Sequence, residues 1–167
     1  MTSLTFKGNK VEALGKFPQA GELAPEFTLV KSDLSELSLS DLKGKKVIFN
    51  IFPSIDTPVC ALQLKKFSKA VSDLDNVVLL FASLDLPFAF SRFCGAEGIT
   101  NAVTASDYRA HSLEQNYGVK MQGGPLDGLY ARAVLILNEN HEVVYSELVQ
   151  EVTDEPNYEK AISAVQA

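Results

Sequence analysis

The sequence predicts an α/β fold in which helices flank a mixed β-sheet, with a β-hairpin at the N-terminus. Two nearly continuous apolar runs, Val47–Phe52 and Val77–Leu84, are rich in β-branched and aromatic residues and are typical of strands buried on both faces. A helical pattern that opens on a proline follows each run, at Pro58 and at Pro87. Strands that alternate with helices in this way pair in parallel and carry helices on both faces of the sheet.

Both ends of the chain add antiparallel elements to this parallel centre. Near the C-terminus, Ala133–Leu137 and Val143–Leu148 flank the tetrapeptide Asn-Glu-Asn-His, which is typical of a hairpin turn. An opening hairpin is predicted around Gly8-Asn9, and a closing helix over Tyr158–Val165. The whole order fits the thioredoxin-like architecture.

The remaining elements follow from local signals, chiefly proline and glycine at the ends of periodic segments. In chain order we predict a strand at Phe27–Val30, a helical turn at Ser40–Gly44, a helix from Pro58 to about Leu74, a short helix from Pro87 to near Gly95–Gly98, a strand around Val103 and a helix from about Ala110 to Tyr117. The segment Gly123–Gly128 is predicted to be a flexible loop, since no Gly-Lys-Ser/Thr follows it to make a phosphate cradle.

The composition predicts a single globular domain over residues 1–167. Hydrophobic residues make up 46% and charged residues 22% of the chain, and the net charge is −6. A domain of this length buries roughly 70% of the surface of its unfolded chain, so folding needs no disulfide staple. An acidic domain without a basic stripe argues against a nucleic-acid partner or an anionic membrane surface.

The expected compartment is the cytoplasm. No apolar run approaches the roughly 20 residues of a membrane span, and the N-terminal segment lacks the hydrophobic centre of a signal peptide. Thiols in the cytoplasm are kept reduced, so a disulfide there is catalytic more often than structural. This makes the two cysteines, Cys60 and Cys94, candidates for redox chemistry.

Cys60 is the stronger candidate nucleophile. The loop after the first apolar strand makes Thr57 a good N-cap and places Pro58 at the first helical position, so Cys60 falls in the first turn. Free amides and the positive end of the helix dipole stabilise a thiolate there. The alternative is a small buried hydrophobic residue that packs the start of the helix. The position beyond the carboxyl end of a central strand favours the reactive interpretation.

The same segment resembles the active site of the peroxiredoxins. Pro53, Thr57 and Cys60 match the pattern Pro-x-x-x-Thr/Ser-x-x-Cys in full. Further segments are similar to the bacterial thiol peroxidase subfamily, the atypical two-cysteine peroxiredoxins, and these are Phe52–Thr57, Ser83–Ala89, Arg92–Gly98 and Ala131–Val134. The resemblance extends from Phe6 to Tyr158 and therefore covers essentially the whole chain.

The resemblance implies a role for each of four residues. Cys60 would attack the peroxide, Thr57 would hydrogen-bond the sulfur or the peroxide, and Pro53 would shield the site. Arg132 matches the arginine that completes the pocket from a later strand. The alternative for Arg132 is an ordinary charge at a strand end. The chain has only three arginines, and a fixed cation with forked donors suits a thiolate that faces a peroxide.

The resemblance assigns the second sulfur, Cys94, to resolution. In this subfamily the resolving cysteine lies in the same subunit, on the helix after the second core strand, and Cys94 occupies the matching place. The alternative is a cysteine packed among Phe88, Phe90 and Phe93. As the only other sulfur nucleophile in the chain, Cys94 is the expected partner of Cys60.

The predicted cycle needs no metal, flavin or haem. Cys60 reduces hydrogen peroxide or an organic hydroperoxide, its sulfenic acid condenses with Cys94, and the resemblance implies thioredoxin as reductant and a homodimer. A thiol–disulfide oxidoreductase is one rival, but it needs Cys-x-x-Cys and Cys60 is followed by Ala61-Leu62-Gln63. The other rival is a non-catalytic interaction module of thioredoxin fold, in which Cys60 would not react with peroxide.

Overall fold

Ten strands and four α-helices make up the computed structural model, which describes residues 1–167. In chain order they are β1 (Thr2–Phe6), β2 (Asn9–Leu14), β3 (Thr28–Lys31), β4 (Glu36–Ser38), β5 (Lys46–Ile51), α1 (Pro58–Ala70), β6 (Val77–Ser83), α2 (Pro87–Glu97), β7 (Val103–Ser106), α3 (Ser112–Asn116), β8 (Lys120–Gln122), β9 (Ala133–Leu137), β10 (Val143–Leu148) and α4 (Tyr158–Gln166). A 3-10 turn, Leu39–Leu42, follows β4 where a helical turn was predicted.

The main sheet has seven strands in the order β10-β9-β5-β6-β7-β3-β4. The neighbouring strands β5, β6 and β7 run parallel, and the other pairs are antiparallel. The parallel centre follows from the connections through α1 and α2, because each helix carries the chain back to the same end of the sheet before the next strand begins. The predicted mixed α/β sheet is confirmed. Because β5 and β6 are parallel, the loops that follow them lie at the same end of the sheet.

Two layers of apolar side chains cover the faces of this sheet, because successive residues of a strand point to opposite sides. On one face, Phe49 packs in a cluster that includes Phe27 and Tyr117. On the other face, Ile48 packs in a cluster with Phe67 of α1 and Val165 of α4. The strand β5 is therefore buried on both sides, as its apolar run predicts.

The predicted N-terminal hairpin forms, and it packs beside the main sheet. Strands β1 and β2 join β8 in a separate three-stranded sheet. The backbone of Thr5 is bonded to the segment after β10, since its N–H donates to Gln150 and its carbonyl accepts from Val152. Strands β4 and β8 were not predicted, because three residues are too few to display a two-residue period. The segment Gly123–Gly128 after β8 is a loop without helix or strand, and its predicted flexibility stays a prediction.

Helices α1 and α3 are shorter than predicted, whereas α2 ends in its predicted range and α4 extends one residue further, to Gln166. Helix α1 was predicted to reach about Leu74 but ends at Ala70, where Ser72 bonds the Lys69 carbonyl through its hydroxyl and competes with the helical pattern. Helix α3 begins only at Ser112 because His111 has a left-handed conformation with φ 53°. None of the helices is both long and apolar enough to cross a bilayer.

Candidate active site

Cys60 is the third residue of α1 and lies beyond the carboxyl end of β5. Thr57 precedes the helix with an extended backbone, and Pro58 opens it, as predicted. The Thr57 hydroxyl does not cap the first turn, since it donates instead to the Ser54 carbonyl at 2.8 Å. Its oxygen keeps lone pairs that can accept a hydrogen bond, while its proton is used within the loop.

Arg132 lies against the Cys60 sulfur. Its Nη1 donates to Cys60 Sγ at 3.2 Å, and the two residues are 2% and 0% exposed. The pairing of Ile51 with Ala133 brings the start of β9 beside the end of β5, which places Arg132 at the loop that leads to Cys60. The antiparallel sheet thus joins two residues that are far apart in the sequence.

The guanidinium of Arg132 has no carboxylate in hydrogen-bond contact. Its other bonds run from Nη1 to Gln63 Oε1 at 3.0 Å and from Nε to the Val152 carbonyl at 2.9 Å. A buried charge is costly unless it is paired. Of the three contacting atoms, only the Cys60 sulfur can carry a negative charge. The Glu155 carboxylate also interacts with this cation, since its pKa is lowered mainly by Lys66 and in part by the charge of Arg132.

Two of these contacts, to Gln63 and Val152, involve residues that sequence reasoning missed, and Gln63 bonds a third missed residue, Asn50. Gln63 stands one turn after Cys60 on α1, and its Nε2 donates to Asn50 Oδ1 at 2.8 Å. Asn50 lies within β5 and is fully buried. One signal was available in the sequence, since Asn50 is a polar residue inside an apolar strand. The contribution of Val152 is a backbone carbonyl, for which a sequence contains no signal.

A pocket of about 230 Å³ opens beside these residues. The predicted site residues Pro53, Thr57 and Arg132 all line it. The rest of the lining comes from the helix start, the N-terminal hairpin and two later loops, namely Phe6, Lys7, Pro58, Val59, Leu126, Val152 and Thr153. This volume exceeds that of a small hydroperoxide. The fully buried Cys60 is not itself among the lining residues of this pocket, and neither cysteine lines a second cavity of about 330 Å³ beside the end of α4.

The rim of the pocket is held together by the Glu151 carboxylate. It accepts hydrogen bonds from the amides of Lys7 and Gly8 in the hairpin turn, and from the amide and the hydroxyl of Thr153 in the loop. These donors, above all Thr153 and Gly8, lower the pKa of Glu151 to about 2. The carboxylate therefore ties the hairpin to the loop that contributes Val152.

Neither cysteine is in a disulfide. Cys94 is a half-buried thiol on α2. Its side chain packs against the apolar cluster that contains Cys60. Burial raises the pKa of the Cys94 thiol. Of the phenylalanines around it, Phe90 is fully buried whereas Phe88 is 63% exposed. The structure thus places both sulfurs on the same face of the sheet, with only Cys60 in contact with Arg132.

Three polar contacts, made by Asp85 and Arg92, connect the Cys60 loop with the segment that carries Cys94. Asp85, just before α2, accepts from Ser54 Oγ at 2.8 Å and from the Ile55 amide at 2.7 Å. Arg92 on α2 forms an ion pair with Asp56. Sequence reasoning missed these contacts, which couple the position of α2 to the loop before Cys60.

Comparison with known proteins gives a family and similar solved structures for this chain. The family described as Redoxin matches residues 19–162. The chain is 44% identical to a thiol peroxidase of Corynebacterium glutamicum over 165 residues, which cover 99% of each chain. The crystal structure of a peroxiredoxin-like protein from Aquifex aeolicus matches with a TM-score of 0.94 at 38% identity, and covers 99% of this chain and 96% of that one.

A more distant structure shares the same architecture. The thiol peroxidase from Chromobacterium violaceum matches with a TM-score of 0.91 at 20% identity, and covers 99% of this chain and 96% of that one. At this level of identity the likeness concerns the fold alone. Together with the Aquifex aeolicus structure it confirms the fold class that the sequence predicts.

Proposed function

The chain belongs to the Redoxin family and is a thiol-dependent peroxidase, and we propose that it reduces hydrogen peroxide and organic hydroperoxides with Cys60 as the attacking sulfur. The observation that carries this proposal is the contact of 3.2 Å between the buried Arg132 guanidinium and Cys60 Sγ. A cation held at the sulfur favours the thiolate, which is the nucleophilic form of cysteine. The pocket lined by Pro53 and Thr57 gives a hydroperoxide room beside it.

In the first step the Cys60 thiolate attacks one oxygen of the peroxide. The new S–O bond forms as the O–O bond breaks, and the leaving oxygen takes the electron pair and a proton to become water or an alcohol. Arg132 can donate to the developing charge, and such preorganised donors are a major source of rate enhancement. Pro53 would shield the sulfenic acid from water, and Thr57 can accept a hydrogen bond from the peroxide.

In the second step Cys94 would resolve the sulfenic acid. Its sulfur attacks the sulfur of Cys60, a disulfide forms, and the hydroxyl leaves as water. Burial holds the pKa of the Cys94 thiol above its ordinary value while the side chain is packed in the apolar cluster. Loosening of α2 would expose this thiol and return its pKa toward the ordinary value, which increases the fraction of nucleophilic thiolate.

The cycle closes when a dithiol reductant opens the disulfide. We propose thioredoxin for this role, a homodimer as the assembly, and the cytoplasm as the location, on the resemblance to the atypical two-cysteine peroxiredoxins. A reducing compartment fits a cycle that must regenerate two thiols at each turnover. Neither a metal nor an organic cofactor enters the proposed steps.

A single-turnover experiment tests the proposal. Fully reduced protein is mixed with one equivalent of hydrogen peroxide, and free thiols are counted as a function of time. The expected result is the loss of both thiols with the mass change of an intramolecular disulfide. Thiols that survive excess peroxide would instead support the non-catalytic interaction module, and reaction with disulfides but not with peroxide would support a general thiol–disulfide oxidoreductase.

A further inference from the structure

Lys7 is an exposed residue in the lining of the pocket that extends to Arg132. These two residues are the only charged members of the lining. The Nζ atom of Lys7 lies 5.5 Å from the centre of the Phe6 ring, and Phe6 also lines the pocket. Because a cation is attracted to the face of an aromatic ring, this contact keeps the ammonium beside the pocket wall.

The ammonium of Lys7 has no carboxylate partner. Lys7 takes part in none of the ion pairs of the structure. The guanidinium of Arg132, in contrast, faces the Cys60 sulfur at 3.2 Å. Of the two cations in the lining, Lys7 is therefore the one whose charge is available to a group on a bound ligand.

The carboxylate of Glu151 fixes the backbone of Lys7 without pairing with its side chain. One oxygen accepts from the Lys7 amide at 3.1 Å, and the other accepts from the Gly8 amide at 2.8 Å. Glu151 also accepts from the hydroxyl of Thr5 and from the amide and hydroxyl of Thr153. These neutral donors satisfy the carboxylate, and they hold the hairpin turn at the rim of the pocket.

The backbone conformation of Lys7 is unusual for a lysine. Lys7 and Gly8 are the central residues of the turn between β1 and β2, and both have positive φ, 51° and 81°. A two-residue hairpin turn of this kind favours Asn, Asp or Gly at its first central position, and other residues adopt positive φ uncommonly. The turn by itself therefore gives no reason for a lysine at this position.

The rest of the lining suits an organic molecule. Its surface is mostly apolar and includes the side chains of Phe6, Val59 and Leu126. An apolar group that leaves water to pack against them is stabilised. The pocket of about 230 Å³ thus combines a buried cation next to the sulfur, apolar walls, and an exposed cation at Lys7.

We propose that Lys7 is a specificity-determining residue that selects organic hydroperoxides with a negatively charged group, such as a carboxylate, over neutral ones. The inference rests on the proposed function, because the selected molecule is the substrate of Cys60. In the bound state the hydroperoxide end faces Arg132, the carbon body packs against Phe6, and the carboxylate lies at the Lys7 ammonium. Hydrogen peroxide has no such group, so Lys7 should not affect its reduction.

A competition between two hydroperoxides that differ in charge tests this specificity. One is cumene hydroperoxide with a para-carboxylate, and the other has a neutral para-carboxamide of nearly the same shape. Fully reduced protein is the limiting reagent, both hydroperoxides are present in equal excess, and the two alcohols formed in one turnover are separated and quantified. The ratio of the alcohols reports discrimination directly, and it does not depend on how much of the protein is folded.

Lys7→Asn is the decisive variant. It removes the charge and places a favoured residue in the turn, so it should fold at least as well as the parent. We expect the ratio of carboxylate to carboxamide product to fall by about fivefold at low salt, the factor that corresponds to about 1 kcal/mol, the attraction of two unit charges about 4 Å apart in water. Lys7→Arg keeps the charge and should retain the preference of the parent. An unchanged ratio in Lys7→Asn would overturn the proposal.

The matched control is Lys10→Gln. Lys10 belongs to the same hairpin, but it pairs with Glu12 at 3.3 Å and does not line the pocket. Its replacement should leave the product ratio of the parent unchanged, and a fall as large as in Lys7→Asn would show that the general charge of the hairpin is responsible, which would refute the role of Lys7. At about 1 M salt, where the Debye length is about 3 Å, the effect of Lys7→Asn on the ratio should be much smaller.

The rate with hydrogen peroxide separates charge recognition from the shape of the pocket. We expect the same rate in Lys7→Asn and in the parent, and a loss as large as that with the carboxylate substrate would overturn the proposal. Failure of the proposed function has a different signature, since neither alcohol would then form in an amount equivalent to the protein.

Discussion

Arg92, on the helix that carries Cys94, forms an ion pair with Asp56, in the loop that leads to Cys60. Both side chains are mostly exposed, at 64% and 60%. Asp85 reinforces the same junction through the Ile55 amide. A disulfide forms only when the Cα atoms of its two cysteines come within about 7 Å, and we expect this junction to adjust as the two segments are bridged. The junction therefore bears on the step that resolves the sulfenic acid.

Removal of the ion pair should speed disulfide formation. Exposed pairs contribute at most about 1 kcal/mol, which corresponds to a rate factor of about 5. We expect Arg92→Gln to raise the rate of intramolecular disulfide formation by up to this factor, as measured by rapid quenching and mass spectrometry after one equivalent of peroxide. Added salt should accelerate the parent protein but not the variant, since salt screens exposed charges.

The control for this prediction is Arg109→Gln. Arg109 is also exposed and pairs with Glu36 at 3.6 Å on β4, away from the junction. Its loss should leave the rate of disulfide formation unchanged. Identical rates for Arg92→Gln and the parent at low salt would show that the ion pair does not limit resolution.

Replacement of Cys60 should abolish turnover. Serine has nearly the same shape, so Cys60→Ser should fold despite the complete burial of this residue, and it lacks the nucleophilic thiolate. Peroxide consumption in a thioredoxin-coupled assay measures the effect. Cys94→Ser, which retains the first step, is the control for loss of a cysteine as such, and substantial turnover in Cys60→Ser would refute the assignment.

Replacement of Arg132 by lysine should be far from conservative. The guanidinium bonds Cys60, Gln63 and the Val152 carbonyl through two different nitrogens, and a single ammonium cannot reproduce that fork. Loss of one well-placed donor costs about 2.7–4 kcal/mol of barrier, so the peroxide rate should fall by about 100 to 1,000-fold. A rate within a few-fold of the parent, by stopped-flow measurement, would reduce Arg132 to an ordinary charge at a strand end.

Removal of Cys94 should leave the sulfenic acid without its partner. In Cys94→Ser we expect the oxidised Cys60 to persist and to advance to sulfinic acid under excess peroxide, whereas the parent protein should form a monomer with an internal Cys60–Cys94 bridge. Non-reducing peptide mapping distinguishes these products. Mainly intermolecular links in the parent, or normal recycling of Cys94→Ser by thioredoxin, would contradict an intramolecular resolution.

Glu151 should contribute stability that is lost in acid. Hydrogen bonds from Thr153 and Gly8 hold its pKa at about 2 in the folded protein, against an ordinary value of 4.5. A depressed pKa means that the contribution is complete above the ordinary value and disappears as the pH falls toward about 2. Glu151→Gln should therefore lower the stability at neutral pH and flatten the fall in stability across this window.

The measurement for Glu151 is the free energy of unfolding by urea at several pH values. Glu139→Gln, which removes a carboxylate whose side chain makes no hydrogen bond in the structure, is the control and should retain the steeper acid dependence of the parent. If the free energy of unfolding falls equally in Glu151→Gln and in the parent between pH 4.5 and 2, the Glu151 carboxylate does not contribute to stability in this range.

Much of the fold was predictable because its signals are local. A pattern of a few neighbouring residues predicts each of several elements. These are the buried strands β5 and β6, the starts of α1 and α2 at a proline, and the hairpin of β9 and β10. The placement of Cys60 in the first turn of α1 follows from Pro58, whose fixed φ favours the first helical position, although the Thr57 hydroxyl does not make the capping bond that its residue type predicts. By itself, therefore, the sequence determined the α/β class, the first-turn position of Cys60 and the order of the main elements.

Only the tertiary structure decided which residues meet at the sulfur. Arg132 reaches Cys60 because β9 pairs antiparallel with β5, and Gln63 and Asn50 meet because one face of β5 packs against α1. The Val152 carbonyl joins them through a loop that Glu151 ties to the N-terminal hairpin. These contacts depend on strand pairing and helix packing between distant segments, and a local pattern has no information about partners that the chain brings together only when it folds.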